Sequence, residues 1–160
     1  MKALRSTPSC SQFAVDFQMD KYFTGLFYLL ILVFVLHFSS GEANATTING
    51  DLVVDDNDQT TISSLTYVNG SVIVKDNGVL TIQSTTLQIN QTVNLTRTFT
   101  ISDNATVIVI NSTVRSDKVI DISLSDLAIL KSNSSSKFYV RNLILEDTSQ
   151  IRLTDTLVSF

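Results

Sequence analysis

In 160 residues the sequence has one cysteine, one proline and one histidine, and it has no tryptophan. Cys10, Pro8 and His37 all precede position 42. A lone cysteine excludes an intrachain disulfide, so packing and backbone hydrogen bonds must hold the fold. Beyond His37 the chain has no imidazole for acid–base work, no thiolate and no soft metal ligand. The lack of proline beyond Pro8 suits paired strands, because proline cannot donate to a ladder. Lys and Arg form no run, and the formal net charge is −4. Both facts argue against nucleic acid or an anionic membrane surface as partner.

What is there divides the chain in two. Residues 1–45 carry the features of an export segment, with an apolar core at 22–38 flanked by Lys21 before it and by Glu42 and Asp51 after it. That charge order places the N-terminus inside and the rest outside. Ala43-Asn44-Ala45 is an A-x-A cleavage pattern, and Ser39-Ser40-Gly41 is a second such site. The stretch before Lys21 is long for a signal n-region, so Met19 is an alternative start to Met1. A cleaved signal peptide and an uncleaved N-terminal anchor helix both fit. Either one exports residues 46–160 to the cell surface or the extracellular space, and only an uncleaved 22–38 would touch membrane.

Residues 46–160 repeat themselves. Asn49-Gly50-Asp51-Leu52-Val53-Val54-Asp55-Asp56-Asn57 returns twenty positions on as Asn69-Gly70-Ser71-Val72-Ile73-Val74-Lys75-Asp76-Asn77. Val79–Leu87 returns twenty-seven positions on as Thr106–Val114. A period of this size signals one supersecondary unit stacked on copies of itself. Runs of three to five strand formers, split by Asp, Asn, Gly and Ser, make each unit strands and turns. Alternation points Val72, Val74, Leu80, Ile82, Leu87 and Ile89 inward. Leu52/Val72/Phe99 and Val54/Val74/Ile101 align as columns. Leu80/Val107/Leu127/Ile151 and Ile82/Val109/Ile129/Leu153 are the expected columns of the next strand. The fold class predicted is all-β, a single-stranded parallel β-helix of about five rungs preceded by one hydrophobic helix. A β-sandwich is the structural alternative. The turns Asp56-Asn57-Asp58, Asp76-Asn77-Gly78 and Asp103-Asn104-Ala105 occupy equivalent corners, where Asn and Gly supply the left-handed backbone. The seven extra residues of the longer repeat fall near 90–96, as a loop bulging from one corner.

The segments NGSVIVKDNGVLTIQSTTLQIN (69–90) and RTFTISDNATVIVINSTV (97–114) resemble the parallel β-helix proteins of the pectate-lyase-like superfamily, in particular glycosylated surface proteins of archaeal type. The resemblance covers about 48–160 and implies architecture. It leaves function open, since that superfamily includes lyases, hydrolases, adhesins and inert scaffolds.

Several residues carry chemistry. Asn69, Asn90, Asn94, Asn104, Asn111 and Asn133 head Asn-x-Ser/Thr sequons, mostly at turns where a glycan stands clear of the stack. Asp55, Asp56 and Asp58 are the densest carboxylate group, and calcium is the ion that such oxygens would take. The bland alternative is a solvated turn, and no cofactor is otherwise implied. Lys75, Arg97, Arg115, Lys131, Arg141 and Arg152 are scattered, and no Asp group aligns with a catalytic set. Ile108, Ile110, Ala128 and Leu130 read as outward apolar neighbours, hence a contact face. The final residues to Phe160 carry no polar cap, which points to a continuing chain or to an end that stacks on another copy. The expected function is therefore structural or adhesive, without catalysis. Its expected partners are neighbouring subunits, envelope components or surface glycans. A polysaccharide lyase or hydrolase and a filament subunit joined through open ends are the alternatives.

Overall fold

The computed structural model describes residues 44–160. The expected N-terminal hydrophobic helix and its core at 22–38 lie outside the described residues. Sixteen short strands follow one another without a helix among the described residues. The first, β1 (Thr46–Ile48), precedes five full turns. The first two turns are β2 (Leu52–Val54), β3 (Gln59–Ile62), β4 (Thr66–Val68), then β5 (Val72–Val74), β6 (Val79–Gln83), β7 (Thr86–Ile89). The third is β8 (Phe99–Ile101), β9 (Thr106–Ile110), β10 (Thr113–Ser116). The last two are β11 (Asp121–Leu124), β12 (Ile129–Asn133), β13 (Ser136–Tyr139), then β14 (Asn142–Leu145), β15 (Gln150–Leu153), β16 (Thr156–Ser159).

Every third strand pairs with the one above it, always in parallel. Sheet A is β1-β4-β7-β10-β13-β16, sheet B is β2-β5-β8-β11-β14, and sheet C is β3-β6-β9-β12-β15. The chain is thus a parallel β-solenoid of about five rungs. Parallel strands need a crossover, and here the other two strands of each turn supply it.

Alternation within each strand builds the core. Leu52, Val72, Phe99, Ile122 and Leu143 stack in register, as do Val54, Val74, Ile101, Leu124 and Leu145. Val72, Phe99 and Ile122 are fully buried. Each such side chain contributes about 1.5–3 kcal/mol relative to exposure. Where a polar residue enters a column it is satisfied. Ser132 follows Ile82 and Val109, and its Oγ lies 2.9 Å from Thr156 Oγ1.

Two expected columns are corrected. Val107 pairs with Leu130, and Val109 with Ser132. Leu127 is 59% exposed at a corner and Ile129 faces outward beside Thr106 and Gln150. The reason is turn length. Twenty residues separate Thr60 from Leu80, but twenty-three separate Val107 from Leu130. The same slip misplaced Ala128 and Leu130. Both are buried and inward, and neither belongs to an outward contact face.

The corner between sheets B and C is constant. Eight residues separate Leu52 from Thr60, Val72 from Leu80, Phe99 from Val107, Ile122 from Leu130 and Leu143 from Ile151. Its left-handed residue is an aspartate in every turn: Asp56, Asp76, Asp103, Asp126 and Asp147, with φ of 50–57°. This corrects the expectation that Asn or Gly holds that conformation. Asp is suited because its short side chain bonds locally. Asp103 Oδ2 accepts the Asp76 N–H at 3.2 Å, Asp126 Oδ2 that of Asp103 at 3.2 Å, and Asp147 Oδ2 that of Asp126 at 3.3 Å. Gly78 serves close approach instead, since a Cβ there would meet the Val54 carbonyl oxygen at 2.5 Å. The inserted residues do form a loop, 90–98, at the corner between sheets A and B. Buried Gln91 fastens it, donating to Ser116 Oγ and the Val119 carbonyl at 2.9 Å each and accepting from Arg97 N at 3.2 Å.

Replacing Leu130 by Ala is expected to cost about 2–5 kcal/mol of unfolding free energy, whereas Leu127→Ala should stay within about 0.5 kcal/mol. Urea unfolding checks this, and equal costs would contradict the register. At the constant corner, Asp103→Val should destabilise by about 1–3 kcal/mol, and Asp103→Asn much less.

Candidate functional site

Regular rows on the outside follow from the same register. On sheet A one row is Thr47, Tyr67, Gln88, Arg115, Tyr139 and Ser159, and its neighbour contains Thr86, Thr113, Lys137 and Leu157. On sheet C the central row is Thr61, Thr81, Ile108, Lys131 and Arg152.

Charge is segregated among these surfaces. No strand of sheet A or C contains Asp or Glu, and those sheets hold all four strand-borne cations: Arg115, Lys137, Lys131 and Arg152. Eight carboxylates crowd the corner between sheets B and C: Asp55, Asp56, Asp58, Asp76, Asp103, Asp126, Glu146 and Asp147. The one strand-borne carboxylate, Asp121, belongs to sheet B. A chain that is acidic overall therefore presents cationic faces, assembled from residues on different turns.

Two grooves open on and beside sheet A. One of about 410 Å³ is lined by Thr86, Thr113, Arg115, Ser116, Lys137 and Tyr139. The other, about 590 Å³, runs along the corner between sheets A and B, and its lining includes Asn94, Asp117, Lys118, Arg141 and Phe160. Ser116 and Tyr139 belong to both, so the grooves adjoin.

A polar chain runs along the edge of this face. Arg115 Nε donates to Gln88 Oε1 at 3.0 Å, Gln88 Nε2 to Asn90 Oδ1 at 3.1 Å, Asn90 Nδ2 to Asn69 Oδ1 at 2.9 Å, and Asn69 Nδ2 to Asn49 Oδ1 at 2.8 Å. All four bonds point the same way, so the guanidinium polarises the series. Sequence reasoning missed this site because it is assembled from residues on different turns, 20 or more positions apart from one rung to the next. The only available signal was the recurrence of Tyr, Gln and Arg at one row position.

The sequon asparagines fall into two sets. Asn69, Asn90 and Asn104 spend Nδ2 on a neighbouring Asn side chain, Asn104 donating to Asn77 Oδ1 at 3.0 Å. Asn94, Asn111 and Asn133 are exposed, and their Nδ2 atoms donate to no other described residue. Asp55 lies 3.6 Å from Lys75 Nζ, while Asp56 and Asp58 occupy the exposed corner. Among the described residues no three carboxylates converge where a metal ion would sit. Ile108 and Ile110 do face outward, half-buried, but in register Ile108 lies between Thr81 and Lys131 and Ile110 between Gln83 and Asn133.

One ion pair is bidentate. Arg141 Nε and Nη2 reach Asp121 Oδ1 and Oδ2 at 3.0 and 2.6 Å. The Arg141 guanidinium holds the Asp121 carboxyl below its ordinary value of 3.8, and Asn142 adds to the effect. Asp76 and Asp55 likewise raise the Lys75 ammonium. No protein-family model, no curated protein and no solved structure matches the chain. Its class is therefore set by its own geometry, a three-sheet parallel β-solenoid with cationic faces and an acidic corner.

A depressed carboxylate contributes stability above the unfolded pKa, and that contribution is lost as pH falls through the folded value. Asp121→Asn should therefore lower the melting temperature slightly at pH 7, as suits a solvent-screened pair. The difference from the parent should vanish well below pH 4. A difference unchanged from pH 7 to pH 2 would contradict the assignment.

Proposed function

We propose that the chain is an exported, glycosylated cell-surface or extracellular scaffold with a structural and adhesive role, working through its surface rather than by catalysis. The observation that carries this reading is the continuous stack. A single register extends through all three sheets and turns the outside into straight rows of side chains. Such solenoid surfaces serve as extended binding faces. The apolar segment at 22–38 and the exposed sequons support export. Glycans are assigned to Asn94, Asn111 and Asn133 before Asn69, Asn90 and Asn104, whose amide nitrogens already have partners.

A second reading, assembly through the solenoid ends, is favoured by one observation. In the last turn the core columns finish in Leu143, Leu145, Ile151, Leu153 and Val158, with Leu145 48% and Leu153 38% exposed. A further turn would cover them, whether from this chain or from another copy.

Expression of the full chain in an export-competent host that makes N-glycans tests the proposal. The protein should reach the medium or the cell surface, and peptide-N-glycosidase should reduce its apparent mass. Retention in the cytoplasm with all six asparagines unmodified would overturn it.

A further inference from the structure

We propose that Asn49 is a self-modification site. The Asn49-Gly50 step closes to a succinimide and opens to aspartate or isoaspartate, while the fold protects the other two Asn-Gly steps of the chain. Asn49 heads no sequon, so neither export nor glycans enter.

The three steps are Asn49-Gly50, Asn69-Gly70 and Asn77-Gly78. Glycine has no side chain to shield its own nitrogen, so that nitrogen can reach the Cγ of the preceding asparagine. In an unfolded chain the three would behave alike. Stacking separates them.

At Asn77 the nucleophile is engaged. Gly78 N donates to the Lys75 carbonyl at 2.9 Å, and Gly78 is buried against the Val54 carbonyl. Asn77 Oδ1 also accepts from Asn104 Nδ2 at 3.0 Å. At Asn69 the side chain is held at both atoms. Its Nδ2 donates to Asn49 Oδ1 at 2.8 Å, and its Oδ1 accepts from Asn90 Nδ2 at 2.9 Å. Gly70 is buried, and a Cβ on it would run into the Gly50 carbonyl. Turning Asn69 toward its own backbone would break both bonds in a crowded place.

Asn49 differs on each count. Asn49 and Gly50 are both exposed, Gly50 has φ of +113°, and nothing lies within 4 Å of where its Cβ would stand. The Gly50 N–H donates to no acceptor among the described residues. Asn49 is the last acceptor of the series that starts at Arg115, so its Oδ1 is bonded while Nδ2, the leaving group, donates to no described residue. The Asn69 hydrogen bond falls on the oxygen that gains negative charge in the tetrahedral adduct, and so stabilises it.

Gly50 N bonds to Asn49 Cγ as the Cγ–Nδ2 bond breaks. The Gly50 amide proton passes through water to the departing nitrogen, which leaves as ammonia. Water then opens the ring. Attack at Cγ restores the main chain and gives aspartate. Attack at the main-chain carbonyl gives isoaspartate, whose backbone runs through Cβ and Cγ. The aspartate product suits its place, because the series needs only an acceptor there, and a carboxylate takes the Asn69 hydrogen bond with charge assistance. Isoaspartate lengthens the link between β1 and β2. As β1 is the end strand of sheet A and pairs only with β4, the register of the later turns is untouched.

The test incubates freshly purified full chain at mildly alkaline pH, folded and in guanidinium chloride. Each asparagine is followed by peptide mapping with tandem mass spectrometry. In the folded chain Asn49 should convert roughly tenfold or more faster than Asn69 and Asn77, whose reaction waits on local opening. In denaturant the three rates should converge. Isoaspartyl methyltransferase should label the folded product at position 49. Equal folded rates at all three sites, or an Asn49 that converts only in denaturant, would overturn the proposal. Two variants test the fit of the product. Asn49→Asp should melt no lower than the parent. Asn69→Asp removes a donor and sets two acceptors face to face, so its melting temperature should fall. An equal fall in both variants would overturn the place given to the aspartate product.

Discussion

Everything in this structure depends on register. Parallel pairing places each residue directly over its counterpart one turn earlier, and a slip of one residue would turn the core columns outward. The hydrogen-bond ladders, the aliphatic columns and the asparagine series are consequences of that single alignment. With no disulfide available, it is also what holds the chain together. The constant corner between sheets B and C enforces it. Each turn passes through an aspartate in left-handed conformation, and in the later turns that aspartate's carboxylate accepts from the backbone of the turn before.

Sequence made some of this visible and hid the rest. Columns starting at Leu52 and Val54 were legible because the constant corner carries the same Asp-Asn signature in successive turns. The column through Val107 was not, because a fixed period of twenty fails there. Length varies at the other two corners. Thr66 to Val72 takes six residues, Leu87 to Phe99 twelve, Val114 to Ile122 eight and Phe138 to Leu143 five. Such corners lie at the surface, where added residues cost little, so no simple pattern marks them. That is why Leu127 stood in for Leu130 and why Ala128 was placed outside. Asp at a left-handed position was missed for a different reason. Its fitness comes from a partner one turn away, which local propensity does not contain.

The cationic faces were illegible for the same structural reason. Lys and Arg are scattered along the chain, and their spacing shows no cluster. Stacking converts sequence separations of 20 to 27 residues into adjacent rungs, so Arg115 and Lys137 become neighbours. A solenoid thus composes surfaces by addition, one row position at a time. Its net charge is a poor guide to any one face. The acidic corner and the basic sheets coexist because corners tolerate Asp for backbone reasons, whereas sheet faces select residues by their cross-strand neighbours.

Spin-label distances along one outward row test the register most directly. With Cys10 replaced, cysteine pairs joining Thr61 to Ile108, Lys131 or Arg152 span two, three and four rungs. The mean separation should grow by about 4.8 Å per rung, to about 19 Å for the last pair. Separations that do not rise with turn number would contradict one continuous coil, and with it every face described above.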